Sequence, residues 1–204
     1  MEIEAALPLC LRVGVTGHRD LPADAALVAQ VRTAIARIQA MAPCSPSAPP
    51  RLVVVSPLAE GADRLVAEQA LTQSEATLVV PLPLPYEQYI QDFHAAPSRR
   101  QFDRLIALAS RVTLLPPTST RTEAYEQVGR YVVDHSDVVI AVWDGQQAQG
   151  RGGTADVVAY TRARRIPLWW IAAFAPYSLT VEPGDGLTSR GGSEALDPPT
   201  RPVD

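Results

Sequence analysis

Apolar positions along this chain change rhythm repeatedly, and each change marks an element. "LRVGVT" (11–16) is a compact apolar run of strand type. Leu27, Val31, Ile35 and Ile38 then recur at three- and four-residue steps, the helical period. A Pro- and Ser-rich linker, "APCSPSAPP" (42–50), ends that helix and leads into a second strand, "RLVVVS" (51–56). "GADRLVAEQAL" (61–71) is helical and "ATLVVPL" (76–82) is again a strand. From Tyr86 to Ser110 the pattern predicts an irregular stretch and then a helix carrying Phe102, Leu105, Ile106 and Ala109. "RVTLL" (111–115) is a short strand. Ala124, Val128, Tyr131 and His135 share one face of the next helix, which makes His135 a packed core histidine. "DVVIAVWDG" (137–145) is apolar without alternation, so both of its faces should be buried, as in a central parallel strand. A last helix runs from near Thr154 to before Pro167, and "IPLWWIAAF" (166–174) is read as the final strand.

About six alternations of strand and helix predict an α/β fold, a Rossmann-like three-layer sandwich with a mostly parallel central sheet. Residues 1–175 form the predicted domain. Residues 176–204, rich in Gly, Pro, Ser and acidic residues without a period, are read as a flexible C-terminal tail.

Composition narrows the function. The chain has 204 residues and a net charge of −4, with no basic stripe, which argues against nucleic acid as a partner. No apolar run is long enough for a membrane span, and no signal peptide is read. Two cysteines, Cys10 and Cys44, are too few for a disulfide framework, and a cytoplasmic location is expected. His18, His94 and His135 are scattered and the cysteines lack ligand spacing, so no metal site and no cofactor are expected. The chain contains no lysine, which excludes a Walker-type phosphate lysine and leaves arginine as the phosphate-binding cation.

In open α/β sheets ligands bind beyond the carboxyl ends of the strands, so the strand ends carry the candidate chemistry. Thr16-Gly17-His18-Arg19 ends the first strand. Its glycine permits a tight turn, its arginine can fork onto a phosphate, and its histidine can donate or move a proton. "SPLAEGAD" (56–63) ends the second: Ser56 follows the strand, Gly61 and Ala62 open a helix with free amides, and Glu60 is suited to ribose hydroxyls. Asp63, in that helix's first turn, reads as a partner of the helix dipole. Tyr86 and Tyr89, beyond the third strand, either stack on a base or cover the sheet edge, with cover the favoured reading. Asp144-Gly145 ends the central strand, and Gly152-Gly153-Thr154 opens the last helix, with Thr154 able to cap it and touch a phosphate. Asp156, in the first turn of that helix, is either a dipole partner or a catalytic carboxylate.

Together "VGVTGHRDL", "SPLAEGADRLVAEQAL" and "DVVIAVWDG…GRGGTADVV" resemble the SLOG superfamily, the Rossmann-like group that includes the DprA/Smf proteins and the LONELY GUY phosphoribohydrolases. The resemblance spans roughly Leu9 to Phe174 and points to an uncharacterised bacterial branch. It implies a pocket for a nucleotide or an NAD-derived, ADP-ribose-like ligand. Gly17 and Arg19 match the first phosphate loop, Gly61 and Ala62 the second glycine loop, and Gly152, Gly153 and Thr154 the glycine-rich helix start. The phosphoribohydrolases carry PGGxGTxxE, where this chain has "GRGGTAD", without the proline and with an aspartate two residues after the threonine. Two activities follow from the resemblance: a nucleotide sensor module, or an N-glycosidase using Asp156 or Glu60. It also implies assembly into homo-oligomers.

Overall fold

The computed structural model describes residues 10–41, 51–73, 76–147 and 152–185. Seven strands form one sheet: β1 (Cys10–Gly17), β2 (Arg51–Val55), β3 (Thr77–Leu82), β4 (Arg111–Leu114), β5 (Val138–Trp143), β6 (Leu168–Ala172) and β7 (Leu179–Glu182). Their order is β4-β3-β2-β1-β5-β6-β7, parallel throughout except for β7, which runs antiparallel to β6. Between them lie α1 (Ala25–Met41), α2 (Ala62–Gln73), α3 (Tyr86–Tyr89), a 3-10 turn (Ile90–Asp92), α4 (Ala96–Leu108), α5 (Arg121–Asp134) and α6 (Thr154–Ala163). This is the expected α/β, Rossmann-like three-layer sandwich.

The two helical layers can be read from β5, all six residues of which are buried. Val138, Ile140 and Val142 join the large core with the buried stripe of α1 (Leu27, Val31, Ala34, Ile35, Ile38) and with α2 and α4. Val139, Ala141 and Trp143 face the other way, onto Val157 and Val158 of α6 and Val133 of α5. A strand buried on both faces needs apolar residues at every position, which is why its sequence does not alternate. The chain builds outward from β1 through β2 and β3 to β4, then returns through α5 to β5 on the other side of β1. The order of strands therefore reverses between β1 and β5, and a crevice opens at their carboxyl ends.

Local signals fix several ends. Thr120 and Glu123 form a reciprocal capping box at the start of α5. Asp24 accepts the Ala26 N–H at 2.8 Å ahead of α1, and also the Tyr177 hydroxyl at 2.7 Å, tying the chain beyond β6 back to α1. Arg12 and Asp137 exchange bonds where β5 enters beside β1.

Three readings of the sequence are revised. Order does not stop at residue 175: residues 179–182 pair with β6 as β7, with Leu179 opposite Ile171 and Glu182 opposite Leu168. Four residues are too few to show a period, and the edge strand needs only one covered face. Residues 186–204 lie outside the described residues. His135 is exposed rather than packed in the core: it terminates α5 and stacks on Tyr131 at 3.7 Å. Ala109 caps α4 instead of continuing its face, and the stretch before α4 holds α3 and the 3-10 turn.

Candidate active or binding cleft at the strand ends

A cavity of about 580 Å³ occupies the crevice between β1 and β5. Its polar wall contains Thr16, His18, Arg19, Asp63, Asp144 and Gln146; Val128, Val132, Val157 and Trp143 form an apolar side beneath α5 and α6. Ligand sites of this size commonly combine an apolar lining with a few placed polar groups.

The turn leaving β1 is held from two directions. The His18 N–H donates to the Val142 carbonyl at 2.9 Å, and the His18 carbonyl accepts from the Ala62 N–H at 3.0 Å. Gly17 lies so close to Ala62 that a Cβ there would overlap the alanine methyl. Gly61 sits at φ +77°, and a Cβ on it would run into the carbonyl oxygens of His18 and Arg19. Glycine is thus demanded at Gly61 both by conformation and by close approach. This packing presents His18 and Arg19 to the cavity.

His18 Nε2 lies 3.1 Å from Asp144 Oδ1 and 3.2 Å from the Asp144 backbone nitrogen. Asp144 Oδ1 also accepts the Gln146 N–H at 2.9 Å, and this bond, followed by His18, holds the carboxyl below the usual range. Arg19 is exposed, makes no ion pair among the described residues, and lies 5.7 Å over the ring of Tyr125. The Tyr125 hydroxyl is in turn bound to Asp92 and Arg121. On the opposite wall Gly152, Gly153 and Thr154 lead into α6. Gly153 is the N-cap and makes no side-chain bond; Thr154 is the first helical residue and not the cap expected of it. The amides of Thr154 and Ala155 have no partner among the described residues, so this helix start can meet an anion.

The second strand end differs from expectation. Gly61 and Ala62 do not line the cavity, because their amide surface is packed on the β1 turn. Ser56 is fully buried and accepts the Leu58 N–H at 3.1 Å, supporting a loop in which Leu58 sits at φ +60° and its carbonyl accepts the Arg64 Nε–H at 2.9 Å. Glu60 turns toward α4, where its carboxylate accepts the Ser98 hydroxyl, and it is no part of the cavity wall. Asp156 accepts the Gly152 N–H at 2.8 Å and likewise does not line the cavity. Gly145 lies outside the wall, beside Trp170.

Instead, the second loop contributes Pro57, Ala59 and Asp63 to the wall. The Asp63 carboxyl is buried, accepts the Ala59 N–H at 3.2 Å, and is bonded by Ser56. Burial pushes it up to about 7, against the opposing pull of these bonds and of Arg19 and Arg64. Asp63 is the functional candidate that the sequence reading passed over as a dipole partner. Tyr89 and Tyr125 also reach the wall, and Tyr89 is packed edge-on against Phe93 and Phe102. Gly129, an isolated glycine within an amphipathic helix, lines the cavity where α5 approaches Val157 of α6. It was a visible signal that a packing or binding reason holds that position.

Neither a protein-family model nor a curated protein matches this chain. The site therefore has to be read from its own chemistry. One cation, one free helix start and several hydrogen-bonding groups face a partly apolar cavity, an arrangement that can hold a molecule with both an anionic and an apolar part. Among the described residues, no group of three or more His, Cys, Asp or Glu could hold a metal ion. No helix among them is long and apolar enough to cross a membrane.

Proposed function

We propose that the cavity binds a nucleotide or an NAD-derived, ADP-ribose-like molecule and that the chain acts as a sensor module of SLOG type. The observation that carries this reading is the position of the cavity. It lies at the strand-order reversal, and Arg19 and the start of α6 both line it. Phosphate oxygens are matched by the Arg19 guanidinium and the amides of Thr154 and Ala155. Asp144 and Gln146 are available to ribose hydroxyls. The apolar side, with Val128, Val132 and Val157 beside Trp143, suits a base. The order of the strand-end motifs supports kinship with the SLOG group, and the reading carries with it a cytoplasmic homo-oligomer. N-glycosidic cleavage by Asp156 or Glu60 has less support, since neither carboxylate lines the cavity and each already holds a local hydrogen bond.

The test is a thermal-shift screen with AMP, ADP-ribose, NAD, cyclic ADP-ribose isomers and cytokinin-type nucleotides, with chromatography of each mixture afterwards. ADP-ribose at about 100 times its Kd should stabilise the fold by roughly 2.7 kcal/mol and be recovered intact. Arg19→Gln should remove most of the shift. Recovery of free base and ribose phosphate would replace the sensor reading with a hydrolase, and no shift with any compound would end the nucleotide reading.

A further inference from the structure

Asp63 is an acid in an unusual place. Its residue is 5% exposed, yet it lies in the wall of a cavity open to ligand. The groups facing it are Arg19 from the turn after β1, Ser56 and the Ala59 N–H from the loop before α2, Arg64 from α2 itself, and the Tyr89 hydroxyl from α3. Tyr125 of α5 and Asp92 of the 3-10 turn act electrostatically on Tyr89 in turn. Two of these neighbours, Ser56 and Ala59, already donate to the carboxyl. Among the described residues neither arginine forms an ion pair with it, so the hydrogen bonds that offset the desolvation of this buried carboxylate come from two neutral donors. A proton on the carboxyl would convert the remaining valence into a donor directed at an acceptor.

We infer that Asp63 is a specificity-determining residue whose protonated carboxyl donates a hydrogen bond to an anionic oxygen of the molecule held by Arg19, so that binding takes up a proton. The inference rests on the proposed anion-binding role of this cavity and adds what selects the anion. Burial pushes the carboxyl up to about 7, which brings the protonated form within reach of neutral pH. An anion placed beside Arg19 brings a second negative charge near the carboxyl and withdraws part of the arginine's help. The bound state then keeps the proton to higher pH than the free state, and affinity falls as pH rises through and above 7. His18 lines the same cavity, so its contribution has to be separated from that of Asp63 by substitution.

The probes are ADP-ribose, whose bridging diphosphate does not titrate in the neutral range, and inorganic sulfate, which tests the anion site without a nucleotide. Calorimetry at several pH values, in buffers of different ionisation enthalpy, reads both affinity and protons taken up. The wild-type protein should bind both probes less tightly at pH 8.5 than at pH 6.5, by roughly fivefold or more, with net proton uptake near pH 7. The pH dependence should disappear in Asp63→Asn and persist in His18→Gln. Carboxyl carbon chemical shifts in the wild-type protein read the same proton without a substitution, and the Asp63 midpoint should move up when sulfate is added. A flat affinity, a dependence lost in His18→Gln but kept in Asp63→Asn, or an unmoved midpoint would each overturn the inference. Binding of sulfate with the expected dependence, and no binding of ADP-ribose, would uphold the role of Asp63 while removing the nucleotide reading. Binding of ADP-ribose with no pH dependence would do the reverse, and failure of both probes to bind at pH 6.5 would overturn both.

Discussion

Two of the helix starts at the carboxyl ends of this sheet are announced in the sequence by glycine, yet they do opposite things. At α2 the surface is closed: the Ala62 N–H goes to the His18 carbonyl, and Gly61 lies against the His18 and Arg19 carbonyls. At α6 the surface is open. Gly153 caps the helix without a side-chain bond, and the next two residues form part of the cavity wall. A helix start offers its amides to a ligand only when no nearby chain has already used them. In this protein the glycine at α2 builds the turn that aims His18 and Arg19, while the glycines at α6 leave room for what those residues would hold.

The sharpest way to break that contrast is to add a side chain at each glycine. Gly61→Val combines a left-handed backbone with an overlap on two carbonyl oxygens that belong to main chain and cannot swing aside. It should cost about 4 kcal/mol or more, or abolish cooperative folding. Gly153→Ala sits at φ −86° and ψ 175°, a conformation any residue adopts, and should cost about 1 kcal/mol or less. Urea denaturation of the two variants measures the difference directly. Comparable losses would mean that the two helix starts are built alike.

How much of this was legible beforehand depends on how local the cause is. The parallel sheet could be read, because β5 signals burial on both faces within its own six residues. His18, Arg19, Asp144 and Thr154 all reach the cavity because a strand end or helix start places them there by topology. The direction in which Glu60 turns could not be read, because it is decided by Ser98, 38 residues away. The apolar wall was missed for a similar reason: Val128 and Val132 have the same period whether they cover a core or a cavity. His135 kept the helical period of α5 but stands at the helix end, where the period no longer implies a buried face. Asp63 had the right position for a dipole partner, and nothing in "EGAD" reveals that the chain closes over it.

Asp63 also gives the closed region a pH signature of its own, independent of any ligand. Its folded value of about 7 lies above the ordinary 3.8, so between those values the folded state holds a proton that the unfolded chain has released. Stability therefore falls as pH rises from about 4 through about 7, then levels off above the folded value. With about 1.4 kcal/mol per pH unit as the limiting slope, the effect amounts to a few kcal/mol at most. Asp63→Asn keeps an acceptor for the Ala59 N–H and removes the ionisation. The variant should match the wild type at about pH 4 and exceed it by a few kcal/mol at pH 8, read as melting temperature against pH. If the two curves run parallel, the carboxyl is not held in the neutral form by burial, and the loop before α2 is wetter than its closed geometry implies.

The smallest expected effect belongs to the carboxylate at the open helix start. Asp156 lies in the first turn of α6 and accepts the Gly152 N–H at 2.8 Å, so it steadies the loop and complements the helix dipole. Asp156→Asn retains an oxygen to accept that bond and loses only the charge. The expected cost is about 0.5–1 kcal/mol, measured by urea denaturation. Its effect on binding decides what the open end is for. A negative charge in the same helical turn opposes an anion at the amides of Thr154 and Ala155, so its removal should leave ADP-ribose affinity equal or slightly tighter. If affinity is instead lost while the fold survives, Asp156 is turned toward the ligand when the cavity is filled. The opening at α6 would then read a hydroxyl, and the phosphate would have to rest on Arg19 alone.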